Sequence, residues 1–420
     1  MAEIKEFKAL RFTEKAGEIG ELACPPYDII SPAQAEQFLK TNPKNIIRLE
    51  LPEQNEAGYK NAGDTLAEWE NEGAVKCEDT ESLYIYEECF SVKGKEYSFK
   101  GFVSRVKLHE FSDGVVLPHE ETLSKAKTDR LNLMRATGCN FSQIYSLYSD
   151  EKGESRAMIA ELSSGAPTQS FTDDDGVTHN LWVVQKSEKT TALCKWFEDK
   201  KLYIADGHHR YETALNYKNE LANKGIVNTA ADYVMMFLVD MENPGLVVFP
   251  THRIVRDLNE FDAQALLKAC EADFEVAPCE QSRLQAGLDT AYAEGKVAFG
   301  FVSHGKCALL TLKDISIMEK IMAGAGKAVR ELDVSVLHSL ILEQHLKIDK
   351  ENMAKQINLT YTRSAQEALD AANSTANCAF MLNPTRVEEI AAVAAAGDKM
   401  PQKSTYFYPK LITGMVMNKF

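Results

Sequence analysis

No two cysteines of this chain stand three positions apart, and the nine present are scattered and odd in number. That excludes a disulfide framework and a thiolate zinc site, and it fits reduced thiols in a cytoplasmic protein. No run of about 18 apolar residues occurs, and the opening MAEIKEFKALRF has no apolar signal core, so neither a membrane span nor a secretory leader is expected. Positive charge is also short. Lys plus Arg number 47 against 62 Asp plus Glu, a net charge of −15. A field of that sign repels nucleic acid, so any phosphate must be recognised locally. Internal repeats and low-complexity stretches are missing too. What is present is ample for a core: 420 residues, 45% hydrophobic and 26% charged, enough for two or three domains.

The densest chemistry is in Ala205–Tyr217, ADGHHRYETALNY. The apolar run Leu202-Tyr203-Ile204-Ala205 predicts a buried strand, and Asp206-Gly207 breaks it. Tyr211, Ala214 and Leu215 then recur at helix spacing. Strand, tight turn and helix point backbone N–H groups outward at a helix N-terminus, where positive potential collects. His208, His209 and Arg210 add side-chain donors on the first turn, and Gly207 admits close approach of a ligand. The matching guest is an anion, most often phosphate.

Earlier in the chain, ACPPYDIIS holds Asp28 on a stiff loop, because Pro25-Pro26 cannot be helical. Ser31-Pro32-Ala33-Gln34 is a capping-box pattern that predicts a helix over 32–41. NPKNIIRLELP reads as a loop and then a strand, and 58–73 as a helix. Leu83–Cys89 and Tyr97–Leu108 read as a hairpin around Val92-Lys93-Gly94-Lys95. A second polar cluster follows: His119, Glu120, Thr122, Lys125, Lys127, Asp129 and Arg130, ahead of an apolar face at Leu131, Leu133 and Met134. Cations gathered in an acidic protein suit a polyanion. Residues 152–176 read as an exposed connection around one helix. Leu181–Val184 reads as a strand and Thr190–Phe197 as a helix. Ala231–Val239 and Leu246–Phe249 read as paired strands around Glu242-Asn243-Pro244-Gly245. Thr251, His252 and Arg253 then fall at the polar end of a strand.

From about residue 257 the pattern becomes that of an independent α+β unit. Helices are expected at Phe261–Cys270, Ser282–Ala293, Val334–His345 and Ala365–Asn373, with a hairpin over Lys296–Val302 and Cys307–Lys313. Asn377–Leu382 reads as a strand, and Thr385-Arg386-Val387-Glu388 as a capping box before an Ala-rich helix. The tail KSTYFYPK, with Lys403 and Lys410, has two readings: an edge strand, or a segment folded back over the first domain's pocket.

In this order PPYDIIS, HEETLSKAKTDRLNL, NFSQIYSLYSD, ADGHHRYETAL, the THR segment and KSTYFYPK resemble the bacterial and archaeal family called domain of unknown function 1015, over nearly the whole chain. That family resembles the ParB/sulfiredoxin superfamily. The resemblance implies an α+β fold with a nucleotide-binding domain over 1–255 and a second α+β domain over 256–420, whose tail could return to the first. Sulfiredoxins carry Gly-Cys-His-Arg where this chain has Gly207-His208-His209-Arg210. A histidine in place of the reactive cysteine argues against sulfinic-acid reduction. The DNA-binding helix of ParB proteins has no counterpart here. The remaining analogues are kinases of free L-serine, which implies phosphoryl transfer from ATP or ADP to the serine hydroxyl, with Mg²⁺.

Such chemistry needs a phosphate cradle, a metal, cations and a base. Gly207, His208, His209 and Arg210 would form the cradle, with His119, Lys127 and Arg130 on the nucleotide. Asp206 is the candidate Mg²⁺ ligand. Asp28, then Glu120, are candidate bases, and His209 a further catalytic group. Thr251, Arg253 and Lys403 would take the amino-acid substrate, an arginine or lysine meeting its carboxylate. A metal-dependent phosphohydrolase or nuclease, and a non-catalytic nucleotide-gated module, are the competing readings. Neither nucleic acid nor membrane is expected as a partner, and the oligomeric state stays open, a homodimer included.

Overall fold

The computed structural model describes residues 1–120, 122 and 124–420, the side chains of 124–126 excepted. Helix and strand are mixed throughout, an α+β architecture. The chain forms two compact units. The first joins Met1–Pro118, Thr122–Leu246 and Pro409–Phe420; the second is Val247–Tyr408 with His119 and Glu120.

The first unit is built on a nine-stranded sheet. Its order is Val116–Leu117, Leu202–Asp206, Ile144–Tyr148, Tyr233–Asp240, Lys95–Lys107, Ser82–Val92, Thr178–Gln185 and Gln169–Thr172, with Ile4–Lys5 also on Lys95–Lys107. Leu202–Asp206 runs parallel to Val116–Leu117, and Tyr233–Asp240 parallel to Ile144–Tyr148; the other pairs are antiparallel. Alternating apolar residues such as Leu83, Ile85, Phe102 and Val106 bury one face together with Leu193, Phe197 and Tyr211. The expected hairpin forms with Lys93 and Gly94 at its tip, both at positive φ. Helix Pro32–Thr41 starts where the capping box placed it, Ser31 Oγ accepting from Gln34 N–H and Gln34 Oε1 from Ser31 N–H. Such a cap is worth about 1 kcal/mol.

Three expectations fail here. The strand after Asn45 is a short helix, Ile47–Glu50. Asn45 Oδ1 accepts from Ile47 N–H, and its amide donates to Glu21 O and Ala23 O, so this side chain winds the segment before the isoleucines can extend. The connection after the helix Glu154–Leu162 contains a strand, Gln169–Thr172, paired with Thr178–Gln185. Val247–Val248 pairs with Phe407–Tyr408 rather than with Tyr233–Asp240, which has partners on both edges already.

One buried polar chain crosses this sheet. The Tyr86 hydroxyl bridges Glu88 Oε1 at 2.8 Å and His179 Nδ1 at 2.7 Å, and His179 Nε2 meets Asp173 Oδ2 at 3.0 Å. Burial drives the Glu88 carboxyl up to about 8, against the Tyr86 hydrogen bond and helped by Asp173.

The second unit is a six-stranded antiparallel sheet, ordered Phe274–Pro278, Lys306–Leu312, Ala298–Ser303, Cys378–Met381, His252–Val255 and Leu359–Thr362. Leu284, Leu288, Ala368 and Ala372, from helices Gln281–Ala293 and Ala365–Ser374, cover one apolar set. Leu337, Leu340 and Ile341 join the other, with Phe299 and Phe380. The helix expected over Val334–His345 is a single turn, Asp333–Val336, that widens into a π-helix, Leu337–Glu343. The capping box before Val387–Ala395 sits one residue later than expected, with Glu389 accepting from the Arg386 N–H. Among the described residues no helix is long and apolar enough to cross a membrane.

Candidate functional site

The corner forms as its residues dictate. Leu202 and Ile204 are wholly buried in the strand, and Asp206 is its last residue, opposite Tyr145 across a register shift. Gly207 follows at φ 95°, a backbone region that L side chains rarely adopt. A Cβ there would also lie 2.9 Å from Arg210 Nε, so a side chain would displace the guanidinium. Helix His208–Asn223 starts immediately, with Gly207 as its cap residue and no side-chain cap bond among the described residues. Tyr211, Ala214 and Leu215 anchor its inner face, as their spacing predicted.

Asp206 organises the corner. Its Oδ2 accepts from Arg210 Nη2 at 3.1 Å, and Lys410 Nζ stands 3.3 Å from Oδ1. Burial works to raise this carboxyl, but Lys410 first, then Arg210 and His208, outweigh it and hold it at about 2. The anion therefore persists at all ordinary pH. Arg210 also donates from Nη1 to Gln143 O at 2.5 Å, while Gln143 Nε2 donates to Ile412 O at 2.9 Å. The same residues thus fix the guanidinium and the segment that carries Lys410.

The two histidines differ. His208 is buried and His209 half-buried. Burial, with help from Lys127 and Arg210, lowers the His209 pKa against the pull of Glu212 and Asp28, so a neutral imidazole prevails near pH 7. Glu212, one turn along, accepts from Lys127 Nζ at 2.7 Å and from Thr122 Oγ1 at 2.8 Å. This ties the helix Ser124–Thr137 to the corner. Asp28 is exposed on the one-turn 3₁₀ segment Tyr27–Ile29, after Pro25-Pro26. Its charge acts on Arg210, His209, Tyr27 and Glu50, so loop and corner share one electrostatic neighbourhood.

Arg130 has another use. It donates from Nε and Nη2 to Asp129 Oδ2 at 2.9 and 2.7 Å and from Nη1 to Glu50 O at 2.7 Å, and stacks 4.1 Å from the Tyr27 ring. Only 6% exposed, it is committed to protein acceptors and braces the Tyr27–Asp28 loop instead of meeting phosphate. Lys125, from the same cluster, lies outside the described side chains.

The other expected residues belong to the second unit. His119 is fully buried, with Nε2 3.3 Å from Thr405 Oγ1. The Glu120 carbonyl accepts from Lys399 Nζ at 3.1 Å. Thr251 is buried, and its carbonyl accepts from Arg253 Nη1. Arg253, 1% exposed, also donates to Lys403 O at 3.1 Å and lies 5.3 Å from the Tyr361 ring. A guanidinium so enclosed cannot serve as an open substrate clamp, and burial lowers its pKa to about 10. Lys403 is exposed at φ 58°. In the tail, Phe407–Tyr408 is a strand paired with Val247–Val248 in the second unit, and Pro409–Phe420 belongs to the first unit.

The donor set at Asp206 does not suit a protein-held Mg²⁺. Each carboxylate oxygen faces a cation at 3.1–3.3 Å, and a divalent ion there would be repelled by both. Among the described residues no group of three or more His, Cys, Asp or Glu side chains could hold a metal. Lys410, Glu212 and Gln143 are the site residues that sequence reasoning missed. All three stand inside quoted motifs, but their pairing is set by tertiary structure.

The fold and site define an α+β protein with a cationic strand–glycine–helix corner. Residues 4–335 match the family described as Protein of unknown function (DUF1015), and the chain belongs to that family. No curated protein matches the sequence significantly. Among solved structures, the chain is similar to a free serine kinase mutant in complex with ADP, at 13% identity and TM-score 0.36, over 71% of this chain and 85% of that one. It is similar to a conserved hypothetical protein from Pyrococcus furiosus at 14% identity and TM-score 0.33, over 71% and 88%. SbnI from Staphylococcus aureus, truncated at its C-terminus, matches at 12% identity and TM-score 0.36, over 75% and 86%. Scores this low mark remote likeness, and no ligand or reaction is transferred from them.

Proposed function

We propose that the corner at Asp206–Arg210 binds the terminal phosphates of ATP or ADP, and that the protein transfers the end phosphoryl group to a small hydroxyl substrate, free L-serine first among them. The observation that carries this reading is the single carboxylate of Asp206, which aligns Arg210 and Lys410 at the N-terminus of helix His208–Asn223. Two fixed cations, a helix N-terminus and a glycine without a side chain are what a loose, charge-spreading transition state needs. In this reading Asp206 positions cations, and no step is routed through a metal on its oxygens. Lys127, held by Glu212, supplies a third positive charge beside the corner.

Asp28 is the proposed base. The substrate hydroxyl oxygen attacks the terminal phosphorus while the bond to the bridging oxygen breaks. The hydroxyl proton passes to the Asp28 carboxylate, and ADP or AMP leaves. Neutral His209 serves as a hydrogen-bonding partner for a phosphate oxygen. Serine as acceptor rests on the sequence resemblance.

The test is to incubate the purified protein with ATP or ADP and a panel of hydroxyl-bearing amino acids, then follow the products by ³¹P NMR and mass spectrometry. O-phosphoserine formed in step with nucleotide loss supports the reading. Inorganic phosphate as sole product, with or without serine, replaces it with hydrolysis.

A further inference from the structure

The second unit contains a cavity of about 280 Å³. Its walls include Met322, Val329, Met353 and Tyr361, and it is also lined by Ser335 and His338. Ser335 is 1% exposed and His338 7%, and neither Ser335 Oγ nor His338 Nε2 has a hydrogen-bond partner among the described residues. Buried polar groups are ordinarily satisfied, so two unsatisfied ones in one cavity call for an occupant. His338 lies on the π-helix Leu337–Glu343, a rare geometry that concentrates at functional sites.

Arg253 supplies the charge. It lies 5.3 Å from the Tyr361 ring, and its field, after burial, lowers the His338 pKa, so its positive charge is felt at two residues of the cavity wall. Among the described residues its Nη1 and Nη2 meet the carbonyls of Thr251 and Lys403, and its Nε has no acceptor. Buried charges are ordinarily paired. At the cavity's rim Glu343 and Lys350 offset each other. Lys399 also lines the cavity, so positive charge stands beside a mostly apolar space, which suits an anion with an apolar body.

We propose that this cavity is a binding site for a small monocarboxylic acid with an apolar side chain, its carboxylate turned toward Ser335, His338 and the charge of Arg253, its tail between Met322, Val329 and Met353. The site is separate from the nucleotide corner and does not depend on the reading given to that corner.

The experiment uses the full chain and calorimetric titration with hexanoate and 3-phenylpropionate, each against its alcohol, hexan-1-ol and 3-phenylpropan-1-ol. The expected result is saturable one-to-one binding of the acids, about tenfold or more tighter than the alcohols. Met353→Trp, which fills the cavity, should abolish it. Arg253→Met removes the charge together with buried hydrogen bonds that support the fold, so the second variant is Ser335→Ala, a small change that should weaken the acids about tenfold and leave the alcohols unchanged. Asp206→Asn should leave acid binding unaltered, which separates this site from the corner. Equal affinity for acid and alcohol, no saturable binding, or a crystal structure with hexanoate that shows only water in the cavity would overturn the proposal.

Discussion

Lys410 Nζ stands 3.3 Å from Asp206 Oδ1, while Arg210 holds the other oxygen at 3.1 Å, so one carboxylate sets the separation of two cations carried by different segments. Removing either cation should therefore disturb phosphate binding without disturbing the strand beneath. Lys410→Met is expected to weaken ADP binding about tenfold to a hundredfold in calorimetry. An unchanged affinity would mean that the phosphates dock elsewhere.

Gly207→Ala places a methyl group at φ 95° and 2.9 Å from the Arg210 guanidinium. The backbone term alone should cost about 1–3 kcal/mol in urea unfolding. Nucleotide affinity should fall as well, because Arg210 must move. Retention of both stability and affinity would contradict the described turn.

Asp28→Asn tests the base. If the carboxylate accepts the substrate proton, kcat should drop about 10²–10⁴-fold, with the Kd for nucleotide and the circular dichroism spectrum little altered. A variant that turns over normally removes Asp28 from the chemistry.

Acid stability tests the ion pairs. The Asp206 carboxyl is held at about 2 in the folded protein against an ordinary 3.8, so its anion stabilises the fold above pH 4, and that contribution is lost as pH falls toward 2. With the side chain only 24% exposed, the size is about 2 kcal/mol at neutral pH. The gap in stability between the parent and Asp206→Asn should close on acidification through this window. A gap that persists at pH 2 would assign the loss to packing.

Glu88 gives the opposite slope. Its folded value of about 8 lies above the ordinary 4.5, so the folded state binds a proton that the unfolded chain has released. Stability from this group is full below pH 4.5 and declines as pH rises to 8. Glu88→Gln keeps an acceptor for Tyr86 and carries no charge. Its melting temperature should vary less than the parent's between pH 5 and 8, and identical pH profiles would refute the protonated carboxyl.

What the sequence revealed was local. Ser31 and Gln34 announce their helix because the capping bonds join neighbours. The corner was legible because Asp206-Gly207 lies between an apolar run and a helical stripe. The helix Ile47–Glu50 was not, because two isoleucines favour extension until Asn45 binds back to Ile47 and across to Glu21 and Ala23. Arg130 and Arg253 read as ligand cations because nothing in a linear pattern shows that each is turned into protein, toward Asp129 and Glu50 in one case and Thr251 and Lys403 in the other. The partnership of Lys410 with Asp206 spans an entire unit, beyond any spacing rule.

The first unit is discontinuous, since Val247–Tyr408 intervenes before Pro409–Phe420. During synthesis the strand, glycine and helix emerge long before the lysine that balances their aspartate. A polypeptide halted at Leu246 would carry the turn with the Lys410 half of the Asp206 pairing missing, so a nucleotide bound there as proposed would have to wait for the intervening unit to leave the ribosome.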